Sequence, residues 1–281
     1  MQKINVDLEM KKIEQDECRE IQMSVLDEIS RICKENNLKY SLAYGTMLGA
    51  VRHKGYIPWD DDIDIWLFRE DYDKLLKLLR DPNVPKKEWL GLIDDTSKDF
   101  HCPFVKVHDN RTTVKMERHV GEMGLWVDIF PMDGVPESKL LAKLYVYFMG
   151  FLRIFSLAMS TDFKSKGYDR WTLFYKRFFY AFTLLVGKKR FCRFVDWMAC
   201  RFPAAQSKFV ANPFFDTKTD RILEREKISE MVPYPFENRE YLGVKNYDYY
   251  LSQFYRDYMQ LPPEEKRYNH GLDVWWKQET K

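Results

Sequence analysis

The spacing of apolar residues predicts a helix near the start of the chain and a series of short strands after it. From about residue 8 to residue 36, isoleucine and valine recur every three or four positions among charged residues, which is typical of a helix with one buried face. Residues 38–44 then alternate as a strand does. The same criteria predict a short helix at 47–53, a strand at 63–68, a helix at 69–79, strands at 90–93, 104–108, 112–116 and 125–130, two or three helices within 137–201, and a helix at 247–259.

The composition is that of a soluble globular protein. The 281 residues are 45% hydrophobic and 31% charged, enough for one large domain or two small ones. The net charge is only +2, so nucleic acid is not expected as a partner. Five cysteines without a C-x-x-C pair favour free thiols, and the N-terminus lacks the apolar stretch of a signal peptide. We therefore expect a cytoplasmic protein.

Basic residues are concentrated in one predicted helical segment. Between Lys139 and Arg201 there are thirteen lysines and arginines against three aspartates, a net charge of +10 that leaves −8 on the rest of the chain. The uncharged runs 144–152 and 178–187 have nine and ten residues, fewer than the roughly 20 that a membrane-spanning helix needs. Two interpretations stay open: helices that lie in a membrane interface, or a helical subdomain that packs on the sheet with its lysines outward.

An acidic cluster precedes the predicted strand at 63–68. Four carboxylates fall within five positions: Asp60, Asp61, Asp62 and Asp64. Side chains two residues apart share one face of a strand, so Asp62 and Asp64 point the same way while Ile63 and Ile65 point into a core. Two close carboxylates repel each other unless a cation lies between them, and Mg²⁺ or Mn²⁺ prefers such oxygen ligands. The pattern predicts a metal site.

The other two acids of this cluster differ in position. Asp60 is two residues before Asp62 and would share its face of the strand, so it is a further candidate metal ligand. It lies nearer the turn after Pro58. Asp61 points the opposite way, toward solvent or a second layer of residues. The alternative interpretation is a solvated acidic turn that caps the helix beginning near Arg69. The apolar residues between the acids argue against it.

A glycine and a hydroxyl residue lie together where the chain turns from a strand into a helix. At such a turn the backbone approaches an anion closely with its N–H groups, so Gly45 and Thr46 are candidate phosphate-binding residues. The signal is weak alone and becomes specific when an Asp-x-Asp strand follows in the same unit. Arg52 and Lys54 lie between the two features and are candidate contacts for a substrate phosphate.

Asp128 is the candidate for a third carboxylate. It is the only charged residue in the run 124–132, which is predicted to be a buried strand. Burying one unpaired carboxylate costs several kcal/mol, roughly, so a metal or a proton-transfer role would explain its position. The alternative is a buried salt bridge to an arginine.

Three stretches resemble the LicD family, which includes fukutin and fukutin-related protein within the polymerase-beta-like nucleotidyltransferase superfamily. They are GTMLGAVRHKGYIPWDDDIDI at 45–65, VDIFPMDGVP at 127–136 and YDYYLSQFYRDYMQLPP at 247–263. The resemblance implies an α+β fold with a nucleotidyltransferase-like mixed sheet, flanking helices and a helical basic insert. The expected domains are a catalytic core at 1–136, a helical segment for membrane-surface or acceptor binding at 137–205, and a C-terminal segment at 206–281 that packs back on the core.

The same resemblance implies a metal-dependent phosphotransferase. It would move phosphocholine or a related phospho-alcohol from CDP-choline, or another CDP-alcohol, to a sugar hydroxyl of a cell-surface glycan precursor such as teichoic acid, lipopolysaccharide or capsule. Mg²⁺ (or Mn²⁺) would be its cofactor. A lipid-linked acceptor would bring the enzyme into peripheral contact with the inner membrane face.

The family pattern carries over to individual residues. Gly45 and Thr46 match its glycine-hydroxyl turn, Asp62 and Asp64 its metal pair, and Asp128 its third carboxylate; the last three are the implied catalytic residues. Rival interpretations are a nucleotidyltransferase that uses an NTP on a small molecule, and a non-catalytic module that binds metal or lipid.

Two further positions bear on the resemblance. Arg256 stands where relatives commonly have glycine, which leaves the local turn open, and His270 matches a position that is often histidine. A choline head group would favour aromatic contacts through cation–π attraction. The aromatic candidates are Tyr44, Tyr56, Trp59, Trp66, Trp126, Trp275 and Trp276. Trp59, beside the acidic cluster, is the candidate substrate-binding residue among them.

Overall fold

The strands form one large mixed sheet and two two-stranded sheets in the computed structural model, which describes residues 11–97, 103–115, 123–161, 163, 169–216, 221–267, 269 and 271–277. The strands are β1 (Tyr40–Leu42), β2 (Asp64–Phe68), β3 (Leu90–Ile93), β4 (Val105–Asp109), β5 (Thr112–Lys115), β6 (Trp126–Gly134), β7 (Phe209–Ala211), β8 (Leu223–Glu224), β9 (Met231–Phe236), β10 (Arg239–Val244) and β11 (Asp273–Trp276). The α-helices are α1 (Gln15–Glu35), α2 (Tyr44–Arg52), α3 (Arg69–Arg80), α4 (Lys139–Met159), α5 (Arg170–Val186), α6 (Lys188–Ala199) and α7 (Tyr247–Tyr255).

The large sheet has the strand order β1-β2-β6-β4-β3, and β7 and β8 extend it beyond β6. β2 and β6 run parallel, whereas β1, β4 and β3 pair antiparallel with their neighbours. Ile65, Ile129 and Val105 are in register across three strands and are buried. Helices α1 and α3 pack against these strands. The expected α+β fold, a mixed sheet flanked by helices, is confirmed.

Helix α1 begins later than predicted because the residues before it are extended. The N–H of Ile13 donates to the carbonyl of Val274 at 2.9 Å, and the N–H of Trp276 donates to the carbonyl of Lys11 at 3.0 Å. This pairing with the last strand sets the start of the helix. The spacing of apolar residues near the N-terminus contains no sign of it.

The last part of the chain adds strands that the local pattern did not predict. β7 pairs with the end of β6, β11 pairs with β5, and β9 and β10 form an antiparallel hairpin that contacts β1. Pro233 and Pro235 lie exposed in β9, where they cannot donate backbone hydrogen bonds, so this strand is hard to recognise from the sequence. The domain boundaries at 136 and 205 stay a prediction.

Arg69 connects the helical segment to the sheet. Its guanidinium donates to the two carboxylate oxygens of Asp133 on β6 at 2.6 and 2.8 Å, and to Asp196 on α6 at 2.9 Å. Both Arg69 and Asp133 are buried. Removing one partner of such a pair leaves a buried charge uncompensated, which costs about 3–5 kcal/mol. Three elements distant in sequence are therefore held in one arrangement.

Arg256 follows α7 in a backbone conformation that favours glycine. Its φ is 55° and its ψ is −106°. A residue with a Cβ is strained in this region by about 1–3 kcal/mol. The side chain of Arg256 is exposed. Because φ is positive, glycine, which relatives commonly have here, is the residue that the backbone favours.

We expect Arg256→Gly to stabilise the protein by about 1 kcal/mol, because relief of the strain exceeds the extra backbone entropy of glycine, roughly 0.5–1 kcal/mol. The melting temperature measured by calorimetry should rise by about 2–4 °C. Arg256→Ala is the matched control, since it removes the side chain but keeps the Cβ. Equal melting temperatures for the two variants would contradict the strain at this position.

Candidate active site

Three charged side chains lie in one row across the large sheet. Asp64 on β2 is in register with Asp128 on β6, and Asp128 is in register with Lys106 on β4. Residues in register on neighbouring strands point to the same face, so the row lies on the face opposite to the buried Ile65 and Ile129. The structure thus brings together Asp64 and Asp128, two of the residues predicted from the sequence.

Asp128 is held by two partners. The ammonium of Lys106 forms an ion pair with its Oδ1, and the indole N–H of Trp126 donates to its Oδ2 at 3.0 Å. The Lys106 Nζ also lies 4.6 Å from the centroid of the Trp126 ring. The carboxylate is therefore oriented and its charge is compensated. The sequence left a buried salt bridge to an arginine as an alternative, and the observed partner is a lysine.

The carboxylate of Asp64 lies among other negative charges. Burial is the largest cause that raises the pKa of Asp64 well above its ordinary value, and the charges of Asp62, Asp128 and Asp60 raise it further. The Lys106 ammonium has a smaller, opposite effect on this pKa. The cluster is therefore electrostatically frustrated, and a bound cation would relieve the repulsion.

The acidic cluster matches a divalent ion in charge and donor type. Carboxylate oxygens are the ligands that Mg²⁺ prefers, and the strand register already sets Asp64 and Asp128 side by side. Among the described residues, no three His, Cys, Asp or Glu side chains are grouped closely enough to hold a metal ion as they stand. A divalent ion held here would therefore complete its coordination with water or substrate oxygens beside the carboxylates.

The first turn of α2 lies against the acidic cluster. The hydroxyl of Thr46 accepts a hydrogen bond from the N–H of Asp64 at 2.9 Å, which fixes the start of α2 to the start of β2. A Cβ at position 45 would lie 2.7 Å from Oδ2 of Asp60, so glycine allows that carboxylate to approach the backbone. The structure thus brings Gly45, Thr46 and Asp60 together at a helix N-terminus, where backbone N–H groups attract anions.

Arg52 and Lys54 lie at the other end of α2. The Arg52 guanidinium donates to the carbonyl of Tyr258 at 2.7 Å and to Nε2 of His53 at 2.9 Å. Lys54 is exposed, and its ammonium donates to the carbonyl of Val51 at 3.1 Å. Arg52 therefore holds the segment that follows α7. Phosphate binding by Arg52 and Lys54 stays a prediction.

The aromatic candidates differ in exposure. Tyr44, Tyr56 and Trp66 are buried in the main core, so their rings pack against other apolar groups. Trp59 is half-buried, and the guanidinium of Arg267 lies 4.9 Å from its ring centroid. The Trp59 ring therefore already contacts a cation in this structure.

Lys106, Asp216 and Arg221 were not identified from the sequence. A single lysine within the apolar strand 104–108 was the available signal for Lys106. No local sequence pattern marks Asp216. The hydroxyl of the distant Tyr44 donates to its carboxylate at 3.2 Å, and the guanidinium of Arg221 donates to it at 3.3 Å. His270 lies outside the described residues.

Asp216 is a buried carboxyl behind the first turn of α2. Burial raises its pKa to about 7, against an ordinary value of 3.8, although Arg221 and Tyr44 act in the opposite direction. The native state therefore binds this proton more tightly than the unfolded chain does. The resulting stabilisation is complete below the unfolded pKa and is lost as the pH rises through about 7.

We expect the free energy of unfolding to fall by about 2 kcal/mol between pH 5.5 and pH 8 through this one group. Asp216→Asn cannot titrate, so its stability should lack this part of the pH dependence. Urea denaturation of both proteins at the two pH values measures the difference. Parallel changes in the two proteins would contradict the raised pKa.

The comparisons with known proteins cover this region. Residues 37–144 match the family described as LicD/FKTN/FKRP, nucleotidyltransferase domain. Over 267 residues the chain is 26% identical to the lipopolysaccharide cholinephosphotransferase LicD of Haemophilus influenzae, across 94% of this chain and 98% of that protein. Residues 37–144 therefore match a LicD-family nucleotidyltransferase domain. The resemblance seen in the three sequence stretches is confirmed.

Two shorter matches fall on uncharacterized proteins. One from Rickettsia prowazekii is 42% identical over 67 residues, 24% of this chain and 23% of that protein. One from Rickettsia typhi is 47% identical over 47 residues, 17% of this chain and 15% of that protein. The LicD-family domain at 37–144 contains the whole row from Lys106 to Asp64, whereas α5, α6 and the strands after them lie beyond it.

Proposed function

We propose that this LicD-family protein is a phosphotransferase that moves phosphocholine, or a related phospho-alcohol, from a CDP-linked donor to a sugar hydroxyl of a cell-surface glycan precursor. Lipopolysaccharide is the preferred class of acceptor, because the relative similar over 94% of the chain is a lipopolysaccharide cholinephosphotransferase. Teichoic acid and capsule are the other candidates. The observation that carries the proposal is the row of Asp64, Asp128 and Lys106 inside the LicD-family domain.

The acidic residues have separate roles in this proposal. Asp62, Asp64 and Asp60 would hold Mg²⁺ or Mn²⁺, and Asp128 would either join them or accept the proton of the sugar hydroxyl. A bound divalent ion would neutralise phosphate charge and stabilise the leaving CMP. The hydrogen bond from Trp126 fixes the orientation of the Asp128 carboxylate, which supports a role in proton transfer.

The neighbouring residues would bind the donor. The backbone at Gly45 and Thr46 would receive the donor phosphates at the start of α2. Arg52 and Lys54, which lie at the other end of this helix, would offer positive charge to a substrate phosphate that reaches there. Trp59 would contact the choline group by a cation–π interaction, worth about 0.5–2 kcal/mol. The Arg267 guanidinium lies over one face of the Trp59 ring, so choline would replace it there or bind the other face.

The proposal includes a cytoplasmic location at the inner membrane face, where CDP-linked donors and lipid-linked acceptors would meet. The described cysteines carry free thiols, which agrees with a reducing compartment: Cys18, Cys33, Cys192 and Cys200. Cys102 lies outside the described residues.

Incubation with CDP-choline, CDP-ethanolamine, CDP-glycerol and CDP-ribitol in the presence of Mg²⁺ should release CMP from one preferred donor, with water replacing the sugar hydroxyl as the acceptor of the phospho-alcohol. We expect Asp62→Asn and Asp64→Asn to abolish this release with melting temperatures within a few degrees of the unchanged protein. Asp64→Asn removes one carboxyl from a cluster of mutually repelling acids, so its fold should persist. Glu240→Gln, an exposed site on β10, is the control that should keep full activity.

Two results would contradict the proposal. Pyrophosphate release from an NTP, with no CMP from any of the four donors, would favour a nucleotidyltransferase. CMP release unaffected by both aspartate variants would reject the assigned site.

Lys106 is expected to position Asp128 without contacting substrate. Lys106→Gln removes the cation beside the carboxylate and should lower kcat by at least about tenfold, equivalent to roughly 1.4 kcal/mol in the barrier. Lys106→Arg keeps the charge and should restore most of this loss, which a merely structural role in packing would not do. Equal kcat values for the glutamine and arginine variants would contradict a role based on charge.

A further inference from the structure

Helix α5 exposes an apolar stripe along its whole length. Of its 17 residues only Thr183 is buried. The exposed stripe consists of Trp171, Phe174, Tyr175, Phe178, Phe182 and Leu185. These positions recur every three or four residues and therefore lie on one face of the helix. Trp171 is 80% exposed and Leu185 is 87% exposed, which is rare for large apolar side chains in water.

Helix α4, which packs against α5, exposes a second stripe. The two helices pack together through Phe155, whose ring centroid lies 4.6 Å from that of Phe179 and 5.2 Å from that of Phe182. Just beyond the C-terminus of α4, the Thr161 hydroxyl accepts a hydrogen bond from the Lys176 ammonium of α5 at 3.1 Å. The stripe on α4 consists of Leu140, Leu141, Leu144, Tyr147, Phe148 and Phe151. We call these two stripes together the apolar face.

The opposite side of α4 is packed on the rest of the protein. Met149, Leu152 and Met159 belong to one buried cluster with Trp126 of the site and Val195 of α6. By length and composition alone, α4 is suited to crossing a membrane. Because one side of it is packed on the sheet domain, it can meet lipid only with its outward side. This arrangement favours a helix that lies along a membrane surface.

Basic residues border the apolar face, and neither helix contains an acidic residue. Arg170 and Arg177 are exposed on α5, one to two residues from the stripe positions, and Lys139 and Lys143 occupy the first turns of α4. Basic groups beside exposed aromatic and leucine side chains match a surface of anionic headgroups above acyl chains. A second copy of the chain is disfavoured, since the segment with net charge +10 would face itself.

We propose that the apolar face docks on the surface of an anionic lipid bilayer, with its aromatic and leucine side chains among the headgroups and its basic residues at the headgroup phosphates. This inference rests on the helices alone and does not depend on the proposed reaction. If that reaction is correct, docking would hold the acidic cluster near acceptors carried by the membrane. The buried cluster shared by α4 and Trp126 would provide the mechanical link.

Co-sedimentation with vesicles tests the docking. The full chain should bind vesicles of phosphatidylcholine mixed with phosphatidylglycerol, and bind much more weakly to phosphatidylcholine alone or at high salt. The variant Phe174→Ser/Phe178→Ser/Leu185→Ser should lose at least about tenfold in affinity. The variant Arg170→Gln/Arg177→Gln should lose roughly tenfold or more on the mixed vesicles. All of the replaced side chains are exposed, so folding should persist.

Matched variants elsewhere serve as controls. Met259→Ser/Leu261→Ser removes exposed apolar groups, and Lys34→Gln/Lys77→Gln removes exposed charges on α1 and α3. Both should bind vesicles as the unchanged protein does. CMP release from a soluble donor should stay unchanged in the triple variant Phe174→Ser/Phe178→Ser/Leu185→Ser. A failure of docking is then distinguishable from a failure of the proposed reaction.

Fluorescence measures contact with the acyl chains. Lipids brominated on their acyl chains should quench the tryptophan emission of the bound protein, and Trp171→Phe should remove part of that quenching while Trp275→Phe does not. Equal binding to neutral and anionic vesicles would overturn the proposal. So would an unchanged vesicle affinity of the triple variant Phe174→Ser/Phe178→Ser/Leu185→Ser. If the unchanged protein is a dimer in vesicle-free buffer and the triple serine variant is a monomer, the apolar face binds a second copy instead.

Discussion

The repulsion between carboxylates at the start of the two parallel central strands is the constraint on which the rest of the site depends. Asp64 and Asp128 are side by side because β2 and β6 are parallel and in register at these residues. Asp60 and Asp62 add further negative charge where the chain enters β2. Such an arrangement is unfavourable unless positive charge lies nearby, and the ammonium of Lys106 forms an ion pair with Asp128. A site that destabilises itself electrostatically is typical of one that binds cations.

The surrounding fold holds this arrangement in place through contacts between distant segments. The start of α2 is tied to β2 by the hydroxyl of Thr46, and Tyr44 in the same turn is tied to Asp216. The last strand, β11, pairs with β5 and sets the start of α1. The row of Asp64, Asp128 and Lys106 lies within residues 37–144, but contacts from segments outside that range also hold its surroundings in place.

The helical segment combines two properties that rarely occur together on a soluble domain. It is anchored by a buried ion pair between Arg69 and its aspartates and by a shared apolar cluster, so it is an integral part of the structure. Its outer side nevertheless exposes more aromatic and leucine surface than packing requires. The earlier alternatives, a packed subdomain or an interfacial helix pair, are thus compatible: one side of α4 is packed, while α5 and the outer side of α4 are exposed.

The sequence by itself determined the elements whose signals are local. The helical repeat of α1, the alternation around β2, the acidic cluster and the glycine-hydroxyl turn can each be recognised within about twenty residues. The α+β class was implied by the resemblance of three short stretches to the LicD family. Tertiary structure decided what depends on pairing between distant segments. Lys106 is the partner of Asp128 because β4 and β6 pair in that register. Asp216 is the partner of Tyr44 because the fold brings together two segments that are distant in the sequence. The proline-containing β9 was likewise hidden. Strand register and the burial of single side chains depend on which distant segments pack together. No local pattern of residues therefore encodes them.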